Sequence, residues 1–92
     1  MAAVAGIALV EAPTALAGFR LVMLFPGTHS HNTRDALGHW VVQVPVSDAA
    51  EVQLLMERVQ AWMRRHQIAE TSVRLGEDVY SVGVDHADLQ TG

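Results

Sequence analysis

Three of the five histidines, His29, His31 and His39, fall within one stretch, residues 26–39, which reads PGTHSHNTRDALGH. His29 and His31 stand two apart, so on an extended strand end both imidazoles point the same way, and His39 returns from the far side of the loop. Three imidazoles suit a zinc ion whose fourth position stays open to water or substrate, with Asp35 placed as a further ligand or as an orienter of one. A metal-dependent activity built on residues 28–39 is therefore one alternative for this chain. Against it, His, Asn, Thr, Ser and Gly are the ordinary composition of an exposed loop, so the stretch needs no metal to explain it. No cofactor is expected, and zinc is the alternative.

Other catalytic arrangements are weaker. Thr28-His29-Ser30-His31 resembles the Thr-His-x-His loop of metallo-β-lactamase-type hydrolases, but the aspartate and the third histidine stand at other offsets and the chain is far too short for that fold. Ser30, His31 and Asp35 could be set on paper as nucleophile, base and orienter. A working triad draws its members from separate elements around an oxyanion hole, and no G-x-S-x-G elbow occurs. Glu77 and Asp78 fall in an expected turn, and Glu51 and Glu57 on the wet side of an expected helix, so none has the burial that tunes a general acid. No phosphate loop or dinucleotide fingerprint is present. No catalytic residues are assigned, and a non-enzymatic protein is expected.

A binding alternative uses the aromatic and sulfur-bearing side chains. Trp40, Met56, Trp62, Met63 and Tyr80 could line an apolar pocket between helix and sheet that takes a small apolar ligand. Residues at helical spacing more often form plain core, and methionine fills irregular gaps well. Arg64, Arg65 and His66 could hold an anion, yet cations at that point are also what a helix C-terminus favours.

These residues must be positioned by one small domain. A chain of 92 residues fits a single core, expected over residues 1–84, with an acidic, flexible tail over residues 85–92. Half the residues are apolar and only 17% are charged, which favours self-association over a disordered chain. The absence of cysteine excludes disulfides, thiolate metal sites and cysteine nucleophiles. Net charge is −4 and the six cations, all arginine, form no basic tract, so nucleic acid is not an expected partner.

The clearest local signal spans residues 47–67, where Val52, Leu55, Met56, Val59, Trp62, Met63 and His66 recur at spacings of three and four. The spacing predicts an amphipathic helix over residues 48–66, capped by Ser47 or Asp48, with Asp48 and Glu51 forming a capping box. Residues 19–25 and 40–46 read as strands, the second with Trp40, Val42, Val44 and Val46 on one face and Val41 and Gln43 on the other. Residues 71–75 and 79–84 read as a hairpin around Gly76-Glu77-Asp78. Residues 4–10 read as a further strand. The expected fold is α+β, in the order β-β-β-α-β-β: a mostly antiparallel sheet of four to five strands with one amphipathic helix on one face.

The apolar alternation on both faces of residues 4–10 and 19–25 leaves more surface than one helix can cover, so a homodimer formed by sheet-to-sheet or edge-strand pairing is expected. Residues 1–18 end in the small-x-small pattern Ala15-Leu16-Ala17. However, no Lys or Arg precedes the apolar run and Glu11 interrupts it, so neither an export signal nor a membrane span is expected, and the cytoplasm is the expected location. The expected function is a small homodimeric binding or protein-interaction module without catalytic activity.

Overall fold

The structure, a computed structural model, describes residues 6–84. The expected acidic tail, and Val4 and Ala5 of the expected first strand, lie outside these residues. The described elements are β1 (Gly6–Ala12), α1 (Ala15–Val22), β2 (His31–Arg34), β3 (Trp40–Val46), α2 (Ala49–Arg65), β4 (Glu70–Leu75) and β5 (Asp78–Gly83). They form one five-stranded sheet in the order β2-β3-β1-β4-β5, with every neighbouring pair antiparallel. The units β1-α1-β2 and β3-α2-β4 each leave one strand's width between their strands, and that space is filled by the other unit. This is the split βαβ arrangement, extended here by β5.

The α+β class, the antiparallel sheet and the helix near residues 48–66 are as read from the sequence. At the start of α2 the Asp48 side chain accepts from the Glu51 amide at 2.8 Å, and the Glu51 carboxylate accepts from the Ser47 amide at 2.6 Å. The capping box therefore closes on Ser47, one residue further back than its usual form. At the other end Ile68 donates to the Met63 carbonyl at 2.8 Å and Gln67 to that of Arg64 at 3.4 Å, the Schellman pattern. That pattern holds Gln67 at φ 57°, in the left-handed region. Leu55, Val59, Trp62 and Met63 are buried, while His66, counted in the apolar stripe, is the exposed C-cap.

Two segments differ from the sequence expectation. Residues 19–25, expected as a strand, belong mostly to helix α1, so a second helix lies on the sheet. Apolar residues occupy nearly every position there, and the period of two competes with a period of four that joins Ala17, Leu21 and Phe25, all buried. Thr14 decides between them: its extended backbone and hydroxyl, which accepts from the Ala17 amide at 3.1 Å, form an N-cap. The loop expected over residues 26–39 also contains β2, whose sequence His-Asn-Thr-Arg has no apolar alternation to announce it.

Both helices pack on the face that carries Ala8, Val10, Val42, Val44 and Val73, and together they enclose one core. The Trp62 indole is buried in it and donates to the Ala17 carbonyl at 2.8 Å, joining α2 to α1. Arg58, on the polar side of α2, donates to the Leu24 carbonyl at 2.8 Å and lies over the Phe25 ring at 5.4 Å, so it too ties the two helices together. Against β2, α1 approaches closely at Gly18, where a Cβ would stand 2.5 Å from Asn32 Oδ1. The Asn32 side chain is held there by its own bond to the Ala15 carbonyl at 3.0 Å.

Two outcomes follow for stability. Leu55→Ala and Trp62→Ala should each cost on the order of 2–5 kcal/mol in urea unfolding, and Arg58→Ala about 1 kcal/mol, because its hydrogen bond and ring contact are lost at a half-exposed position. An Arg58 variant more damaging than both core variants would contradict this packing. Gly18→Ala should destabilise despite a gain of about 1 kcal/mol in helix propensity, and the same substitution in an Asn32→Ala background should be neutral or stabilising. Equal effects in the two backgrounds would show that Asn32 is not what excludes a side chain at residue 18.

Candidate functional site

The expected metal ligands do not converge. His31 pairs with Gln43 at one end of the β2–β3 ladder, whereas His39 precedes Trp40, which pairs with Arg34 at the other end. Four residues along β3 separate the two positions by roughly 13 Å, too far to share an ion. His31 Nδ1 stands 3.3 Å from the His29 carbonyl oxygen, an exposed local contact. Among the described residues no group of three or more His, Asp or Glu side chains is arranged to hold a metal ion.

Asp35 shapes the β2–β3 turn instead. Its Oδ1 accepts from the amides of Leu37 and His39, each at 2.9 Å, while its backbone N–H donates to the His39 carbonyl and its carbonyl accepts from the Gly38 N–H. The His39 ring lies 3.6 Å from the other carboxylate oxygen. Gly38, at φ +86°, supplies the left-handed residue this turn requires. The amide of His39, ahead of the other contacts, holds the Asp35 carboxyl below its ordinary pKa. Ser30 is engaged with Thr28, at 3.0 Å, so Ser30, His31 and Asp35 do not form a triad.

The five side chains expected to line one pocket are dispersed. Trp62 and Met63 are core, and Met56 packs against the core from the edge of α2. Trp40 is half-buried beneath the Arg34 guanidinium, 5.1 Å from its ring centre. Tyr80 stands on the edge strand β5, where it shares with Val52 and Leu75 an open cleft of about 490 Å³ beside the start of α2. Arg64 and Arg65 occupy the last turn of α2, the position a helix dipole favours for cations.

Two other surfaces are better formed. The first is the sheet face turned away from the helices. Strand alternation directs Ile7, Leu9 and Glu11 of β1 to it, with Val41, Gln43 and Pro45 of β3, Thr33 of β2, Ser72 and Arg74 of β4, and Val79 of β5. Ile7 is 53% exposed and Val79 57% exposed. At its centre Ser72 Oγ lies 3.3 Å from a Glu11 carboxylate oxygen, beside a shallow depression of about 190 Å³ that also touches Leu9, Gln43 and Arg74. The second is the groove between α1 and α2, lined by Met23, Leu24, Trp62 and the cations Arg20 and Arg65. The open face was legible in part, since Val41 and Gln43 were already set opposite the buried face of β3. The groove was not, because it depends on α1.

Comparison with protein-family models, curated proteins and solved structures finds no match for this chain. Among the described residues no helix is long and apolar enough to cross a membrane.

Equimolar zinc should leave the thermal unfolding midpoint unchanged in the native chain and in His31→Ala alike; a stabilisation that the variant loses would restore a histidine site. Because folding lowers the Asp35 pKa, its carboxylate adds stability above the ordinary range near about 4 and loses that contribution as pH falls through the lower folded value. The stability gap between the native chain and Asp35→Ala, followed by urea unfolding, should therefore narrow on acidification. A gap that widens would contradict the turn geometry.

Proposed function

We propose that this chain is a non-catalytic interaction module that works as a homodimer, its two copies pairing through the open faces of their sheets. The observation that carries the proposal is the row of apolar side chains, Ile7 beside Pro45, then Leu9, Val41 and Val79, on a face that neither helix covers. A sheet meant for water on that side would alternate to charged residues. Support no longer comes from residues 19–25, which form a helix rather than a strand with two apolar faces.

A second copy is the occupant best matched to this surface. Glu11 and Arg74 stand on adjacent strands, so the face carries both signs of charge, and a two-fold axis presents it to an identical surface. Size sets the strength. Five strands at roughly 4.8 Å spacing and seven residues at roughly 3.3 Å give a footprint on the order of 500 Å² per copy, or about 1,000 Å² for a pair. That lies at the lower limit for a specific interface, so a reversible, concentration-dependent dimer is expected rather than an obligate one.

Light scattering across a concentration series should show a mass rising from the 10.0 kDa of one chain towards twice that value. The double variant Ile7→Arg with Val79→Glu should stay at one chain mass while keeping its unfolding midpoint, since both residues are exposed. A native chain that is monomeric throughout, or a double variant that associates equally well, would refute pairing through this face.

A further inference from the structure

On the covered side of the sheet, the outer edges of α1 and α2 do not close on each other. Between them runs a cleft of about 420 Å³ lined by the exposed apolar residues Met23, Leu24 and Ala61, with the buried Trp62 behind them, and by Arg20, Arg65 and His66. Met23 is 59% exposed, and the neighbouring Leu16 and Phe19 on the outer side of α1 are also exposed, so the apolar lining continues onto a stripe that no other described element covers. Neither Arg20 nor Arg65 is paired with a carboxylate among the described residues. The chain carries a net charge of −4, yet two of its six arginines converge on this one concavity.

We infer that the α1–α2 cleft binds a small anionic amphiphile, an acyl chain ending in a carboxylate, with the chain along Met23, Leu24 and Ala61 and the head group between Arg20 and Arg65. The volume lies within the span of roughly 300–1,000 Å³ usual for small-ligand sites. At roughly 30 Å³ for each water-sized unit, it accommodates on the order of fourteen methylene-sized groups, the bulk of a medium-length acyl chain. Charge decides the head group. Two guanidinium ions exceed the roughly half-unit negative charges at the ends of α1 and α2, and a planar guanidinium matches a carboxylate through paired N–H donors. Trp62 is buried beneath the cleft with its indole N–H committed to the Ala17 carbonyl, so it backs the site without presenting a polar group to the ligand. A concave site favours a ligand that enters it over a flat membrane surface, which would touch only the outer side of α1.

The site lies on the opposite side of the sheet from the proposed dimer face, so the two proposals fail separately. Dodecanoate below its micelle concentration should bind the full chain, read by titration calorimetry and by tryptophan fluorescence. Dodecyltrimethylammonium should bind at least about tenfold more weakly. Arg20→Gln with Arg65→Gln should remove that head-group preference with no more than a slight fall in the unfolding midpoint, since each cation stands in the last turn of its helix, and Ala61→Trp, which adds bulk at the cleft, should weaken both ligands. The dimer-face variant Ile7→Arg with Val79→Glu should bind dodecanoate as the native chain does. Equal binding of the two amphiphiles, unchanged affinity in the arginine variant, or binding to phosphatidylglycerol vesicles with none to monomeric dodecanoate would each overturn the inference.

Discussion

The hydrogen bond from the Trp62 indole to the Ala17 carbonyl runs inside the core from one helix to the other, and the covering of the sheet depends on it. A buried indole must place its N–H on a partner, because leaving it unpaired costs on the order of 1–3 kcal/mol. Here the partner is a main-chain carbonyl of α1, so burying Trp62 also fixes where α1 lies. Gly18 then permits α1 to meet Asn32, and the Asn32 amide bonds the Ala15 carbonyl on the same helix. Arg58 closes the other end of the helix pair through the Leu24 carbonyl. Three polar contacts thus set the α1 position on a surface that apolar packing alone would leave free to slide.

Because these contacts hold both helices on one side, the other side of the sheet belongs to no element of the described chain. Its outward rows mix Ile7, Leu9, Val41 and Val79 with Glu11, Thr33, Gln43, Ser72 and Arg74, so apolar side chains share the face with polar and charged ones. The β2 edge differs from this face. β2 presents His31, Asn32, Thr33 and Arg34, and such polar edges discourage strand addition. The surface chemistry therefore favours pairing through the face over pairing through the β2 edge.

How much of this was legible in the sequence follows the strength of each local signal. α2 was legible because its stripe, its Asp48–Glu51 cap and its terminal arginines agree on one element. β3 and the β4–β5 hairpin were legible because alternation is clean in the first and Gly76, at φ +61°, marks the turn in the second. α1 was hidden because residues 19–25 are apolar at both periods, and its only firm marker is a single threonine before a run of small residues. β2 was hidden for a different reason: it is a strand by virtue of its pairing with β3, and its polar residues carry no periodic pattern. The histidines followed from that omission. Read as a loop, His31 and His39 could approach one another, but as parts of a hairpin they stand at opposite ends of a ladder. The groove between the helices required both α1 and α2, so no property of either segment taken singly could disclose it.

The central claim is that the open face of the sheet is where one copy meets another, and a dilution series followed by amide nuclear magnetic resonance tests it residue by residue. On dilution from the highest soluble concentration, the amides of Leu9, Val41, Ser72 and Val79 should shift together along one binding curve, while those of Leu16, Phe19 and Gln60 on the helix layer stay fixed. Shifts confined to α1, or spectra that do not change with concentration, would contradict it.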